Sequence, residues 1–108
     1  MGNVYVLNKG YHNYAEAGKY GKSVFVTEGP VHVFKVDALL HTLKTSLVNY
    51  CPETDYLLLS GPVILSVLSV SVLLKRFESI NLLLFDAKNQ NYSVRKLSNE
   101  MVGGINNG

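Results

Sequence analysis

The chain has a single cysteine, Cys51, no tryptophan and three prolines in 108 residues. One cysteine excludes an internal disulfide framework and fits a reducing compartment. Charge is scarce as well: 10 Lys+Arg stand against 8 Asp+Glu, 17% of residues in all, for a formal net charge of +2. So even a balance leaves no electrostatic footprint for nucleic acid or an acidic membrane. Internal repeats and low-complexity tracts are missing too. What the chain does have is apolar content: 47% hydrophobic residues are too many for intrinsic disorder, and the length suits one domain with its own core.

The start of the chain, Met1 to Leu7, has no basic flank ahead of a long apolar run. No secretory signal is expected, and Val6 stands where a myristoylation motif needs Ser or Thr. Tyr56 to Leu74 is a run of 19 residues without a charge, long enough to raise the question of a membrane span. Ser60, Gly61 and Pro62 break it, and Ser66, Ser69 and Ser71 dilute the remainder. Two shorter buried elements are the better reading, in a soluble protein with no membrane partner.

Val4 to Asn8 reads as a buried strand ending at a Lys9-Gly10 turn. Asn13 can cap a short helix over Tyr14 to Ala17, and Ser23 to Thr27 forms a second strand. Val31 to Phe34 fits either a short strand or an extended lead-in. Asp37 is placed to cap a helix over Ala38 to Asn49, whose apolar stripe is Val36, Leu39, Leu40, Leu43 and Leu47, with Pro52 ending the segment. Tyr56 to Leu59 is apolar on both faces, as a central parallel strand requires. Gly61 and Pro62 open a helix over Val63 to Phe77, with Lys75 and Arg76 complementing its dipole. Ile80 to Phe85 is a further strand, Asp86 to Asn91 a turn, and Tyr92 to Leu97 an antiparallel edge strand. Residues 1–98 make the α/β domain, and 99–108 a tail that is flexible or ordered by a partner. Strands alternating with helices in this way predict a three-layer, Rossmann-like α/β sandwich, its sheet mostly parallel with a C-terminal antiparallel edge.

Val4-Tyr5-Val6-Leu7-Asn8-Lys9-Gly10, with His12, Tyr14, Ala15 and Gly21 and then Thr27-Glu28-Gly29, is similar in outline to small uncharacterised α/β proteins of bacteriophages and prophages. Asp55 to Gly61 and Leu82 to Asp86 extend the likeness over most of the chain. The resemblance implies a small accessory or virion-associated phage protein, in the host cytoplasm or the virion. It carries no activity and assigns no site residues.

In an open parallel sheet, ligands sit beyond the carboxyl ends of the strands. There the sequence would gather Lys9, Gly10, His12, Glu28, Ser60, Gly61 and Asp86, a mixture suited to a small anionic ligand. Turn residues of these types also end strands for purely structural reasons. Named motifs are missing: no dinucleotide fingerprint, no P-loop, no nucleophile elbow around Ser60. His12, His32, His41 and Cys51 show no metal-ligand spacing. No catalytic residue, cofactor or metal is therefore assigned. A tyrosine–lysine loop, Tyr11, Tyr14, Lys19, Tyr20 and Lys22, could stack and neutralise single-stranded nucleic acid, or could cover the sheet edge. The reading favoured is a non-enzymatic interaction or assembly protein, as a homo-oligomer or with other protein subunits. A sequestering nucleotide or anion binder is the alternative, and a nucleic-acid accessory protein the second.

Overall fold

A computed structural model describes residues 2–10 and 13–103. The elements run β1 (Asn3–Lys9), a 3-10 helix (Ala15–Lys19), β2 (Lys22–Glu28), α1 (Val36–Ser46), β3 (Tyr56–Leu58), α2 (Val63–Arg76), β4 (Ser79–Asp86), β5 (Asn91–Ser98) and α3 (Asn99–Gly103). The five strands form one sheet in the order β2-β1-β3-β4-β5, parallel except for the β4–β5 pair. The expectation of a mostly parallel sheet with an antiparallel edge holds. Val31 to Phe34 is no strand; it leads into α1.

The sequence of β1 explains its central place. Val4, Tyr5, Val6 and Leu7 are all buried, so both faces of the strand are covered. Alternation sends them to two cores. Tyr5 and Leu7 meet Leu43, Leu47, Leu65 and Leu73 of the α1–α2 side, while Val4 and Val6 meet Ala17, Leu83 and Tyr92 on the other. Strand order accounts for this division. The β1–β2 connection steps one way along the sheet, and the connections through α1 and α2 step the other. Right-handed crossovers then place the first on one face and the two helices on the opposite face. Only the α1–α2 face has a layer of full helices. Among the described residues, the other carries the five-residue 3-10 helix and a set of tyrosines where a three-layer sandwich has a further helical layer.

Two helix boundaries differ from expectation. α1 opens with Lys35 at its cap and Asp37 inside the first turn, where a carboxylate still complements the dipole. It also ends at Ser46, well before Pro52, and the Arg76 guanidinium donates to the carbonyls of Leu47 and Val48 that follow, both at 2.9 Å. α2 has 14 residues, and no helix among the described residues is long and apolar enough to cross a membrane. Within α2, the hydroxyl of fully buried Ser69 finds no hydrogen-bond partner.

The amino-terminal ends of the strands are locked by Asp55, which is only 3% exposed. One carboxylate oxygen accepts from the Asn3 N–H at 2.8 Å and the Thr54 hydroxyl at 3.1 Å, and the other accepts from the Cys51 N–H at 2.8 Å. A glycine at position 2 is required here, since an added Cβ would run into the Thr54 carbonyl. Close by, the Tyr50 hydroxyl donates to the Asp55 carbonyl and accepts from the Asn81 N–H, and its ring packs on Tyr5 and Phe77.

Replacing Asp55 with Ala leaves two backbone N–H groups without their acceptor. A loss of about 3 kcal/mol of unfolding free energy is expected; an unchanged urea midpoint would refute the staple. Tyr50 yields a pH prediction. Burial pushes its hydroxyl up from 10.0 to about 12. Below pH 10 the phenol is neutral in both folded and unfolded chains. Between about pH 10 and about 12 the unfolded chain releases the proton and the folded chain keeps it, so stability falls as pH rises through that window. Urea midpoints measured across it should fall, and Tyr50→Phe should flatten the slope.

Candidate functional site

In the order β2-β1-β3-β4-β5 the sheet reverses direction between β1 and β3, and a crevice at that point is where such folds hold ligands. The β1–β3 ladder pairs Val4 with Tyr56, Tyr5 with Leu57 and Val6 with Leu58. Beyond it, Ser60 continues the seam with its side chain. The Asn8 N–H donates to Ser60 Oγ at 3.0 Å, and the Ser60 hydroxyl donates back to the Asn8 carbonyl at 2.9 Å. Gly61 follows at φ +80°, where a Cβ would stand 2.5 Å from the Asn8 Cβ. The chain itself fills the reversal point.

Asn8 is the hub of this end of the sheet. Its side-chain amide donates to Thr27 Oγ1 at 2.9 Å and to the Gly29 carbonyl at 3.0 Å. Thr27 in turn donates to the Leu7 carbonyl at 2.6 Å. The Asn8 carbonyl also accepts from the Tyr14 hydroxyl at 3.1 Å, which itself accepts from the Gly10 N–H. Asn8 is not among the candidates that the sequence suggests. Its one signal there is a lone amide ending an apolar run, which fits any strand end equally well.

The open space lies one strand over. Asn8, Lys9, Gly10, Glu28, Gly29 and Pro30 line a cavity of about 480 Å³. Lys9 and Glu28 are register partners on β1 and β2, and both are exposed. The Lys9 ammonium lies over the Phe25 ring, 4.9 Å from its centroid. A cation and a carboxylate on one rim oppose each other toward an anion, and among the described residues no nucleophile or histidine lines the cavity.

The structure thus brings Lys9, Gly10 and Glu28 together and sets Ser60 and Gly61 against Asn8 beside them. Asp86 belongs elsewhere. It organises the β4–β5 turn, accepting from the N–H groups of Lys88 and Asn89 and from the Asn89 side-chain amide at 2.8 Å. The hydrogen bonds from Asn89 hold its carboxyl below the ordinary value. His12 and Tyr11 lie outside the described residues.

Tyr14 and Tyr20 of the tyrosine–lysine loop face the sheet. Tyr14 packs edge-on against Phe25 and Tyr20 against Tyr56, and the Tyr20 hydroxyl donates to the Tyr92 carbonyl of β5 at 3.2 Å. Lys19 pairs with Glu16 at 3.5 Å, and Lys22 is exposed at the start of β2. Rings used in this way cover a sheet. Among the described residues no group of three or more His, Cys, Asp or Glu side chains could hold a metal ion.

A family model described as phage Pam3 gp32-like protein matches residues 3–99. The chain belongs to the phage Pam3 gp32-like family. The matched span runs from the first residue of β1 to the first of α3, so the Asn8–Ser60 seam and the Lys9–Glu28 rim both lie within the family's span. The phage origin expected from the sequence therefore stands. No curated protein and no solved structure matches the chain.

Replacing Ser60 with Ala removes the partner of the Asn8 N–H at the edge of the gp32-like sheet's reversal point. A loss of about 1–2 kcal/mol and faster hydrogen exchange at the Asn8 amide are expected by NMR. Unchanged exchange at that amide would show that the seam does not hold the strands.

Proposed function

We propose that this phage-family protein is a non-enzymatic interaction component, an accessory or virion-associated chain that binds other protein subunits in the host cytoplasm or the particle. The observation that carries the reading is the outer ridge of α2. A helix lying on a sheet ordinarily turns charged residues outward. Here no charged residue occurs from Val63 to Leu74, and Val63 and Val67 are 78% and 53% exposed. Val48, just past the end of α1, adds a third outward valine at 58%. Exposed aliphatic side chains on an uncharged helix surface mark contact surfaces.

Two further features support the same reading. The crevice where α/β sheets work on small molecules is filled by the Asn8–Ser60 seam. The free edge of β5 carries exposed Arg95 and Lys96, charges that discourage strand-to-strand addition. Contact through the helices is therefore favoured over assembly through sheet edges.

Native mass spectrometry on the protein purified from infected cells, with a protein inventory of purified particles, tests this reading. A defined companion chain is expected. A bare monomer in both preparations would overturn the reading, and so would a bound mass of a few hundred daltons, which would make the Lys9–Glu28 cavity the working site.

A further inference from the structure

Resting on that interaction role, we propose that the groove between the C-terminal halves of α1 and α2 is a docking site for an acidic, apolar-faced segment of a different protein. The groove encloses about 560 Å³. One wall is the ridge Leu40, Lys44 and Val48, spaced at i, i+4 and i+8; the other is formed by Val72, Lys75 and Arg76 of α2. Leu40 and Lys44 stand one turn apart on α1 and Val48 follows just past its end, a wall suited to a short docked helix. Anchors at helical spacing on such a segment match a groove of this form.

Its charge names the occupant. Lys44, Lys75 and Arg76 stand around the groove, and none of the residues lining it is acidic. Among the described residues Lys44 and Lys75 make no ion pair. Arg76 is already fixed by its bonds to the Leu47 and Val48 carbonyls and lies over the Phe77 ring. A guanidinium held in this way keeps further N–H groups for a carboxylate. The C-terminal dipoles of the two helices offset only about half a charge each, so the site stays electropositive.

The same features select against other occupants. In a two-fold dimer through this groove the same patch faces itself, bringing Lys44, Lys75 and Arg76 of one copy against those of the other. Single-stranded nucleic acid uses aromatic platforms, whereas the apolar side chains here are Leu40, Val48 and Val72. Carboxylates flanking an aliphatic stripe satisfy both the cations and the floor.

The test uses the full chain and three labelled probes followed by fluorescence anisotropy. One is a synthetic amphipathic helix with leucines at i, i+3, i+4 and i+7 and flanking glutamates; the second has lysines for the glutamates; the third is a single-stranded oligonucleotide. The glutamate peptide should bind, more weakly as salt rises. The double variant Lys44→Glu/Lys75→Glu changes two exposed side chains and should lose that peptide by about tenfold or more and gain the lysine peptide. Val48→Ser should weaken the glutamate peptide without altering charge. The proposal is overturned if the glutamate peptide fails to bind or binds the double variant equally. It is likewise overturned if only the oligonucleotide binds, or if light scattering shows a dimer that the double variant dissociates. A companion chain that native mass spectrometry still finds on the double variant leaves the interaction role standing and removes the groove. Absence of any companion from the unaltered protein removes the role and the groove with it.

Discussion

A parallel strand hides both of its faces, and this chain has full helices for only one side of its sheet. The other side is closed by Tyr14, Tyr20, Tyr56 and Tyr92 with Phe25, packed edge to face around Ala17. Aromatic rings suit the task because each removes a large apolar area from water, and a tyrosine hydroxyl at the rim can still find a partner. Tyr20 reaches the Tyr92 carbonyl of β5, and Tyr14 reaches the Asn8 carbonyl of β1. The loop between β1 and β2 is thereby tied across the sheet, and Val4 to Leu7 of β1 can be apolar without exposing either face.

That cover also shapes the strand ends. Tyr14 and Ser60 approach the Asn8 carbonyl from different elements, and Gly61 must be glycine because Asn8 leaves no room for a Cβ. The result is a stitched seam where a ligand crevice is expected, with the remaining space displaced toward β2. At the opposite end, Asp55 gathers Asn3, Cys51 and Thr54. Both ends of the central strands are thus held by side chains that supply hydrogen bonds the short β3 ladder cannot.

The helical side follows a different rule. Arg76 reaches from the end of α2 to the carbonyls of Leu47 and Val48, just past the end of α1. In doing so it draws three cations around an aliphatic groove while the outer ridge of α2 remains uncharged. Polar chemistry in this protein is concentrated at element ends, where it finishes the backbone, and the broad surfaces left over are apolar or basic.

Much of the fold was legible because its signals are local. The unbroken apolar runs at Val4 to Leu7, Leu57-Leu58 and Leu82-Leu83 read as strands covered on both faces, and the Leu39, Leu43 and Leu47 spacing reads as a helix seated on them. Lys9, Gly10 and Glu28 were legible as one rim because strand ends in a parallel sheet coincide. The filling of the crevice was not, since the Asn8–Ser60 pair joins residues 52 positions apart, and a serine after a strand looks the same whether its hydroxyl is free or bonded. The loop tyrosines were equally ambiguous, because a ring that covers a sheet and a ring that awaits a base have the same composition. By itself, then, the sequence determined the five strands and the two long helices, the largely parallel sheet and the phage resemblance, all of which rest on periodicity and short motifs. Only the tertiary structure decided which face the tyrosines close, where α1 stops and which basic side chains share a groove, because each depends on contacts between residues too distant in the chain to leave a local pattern.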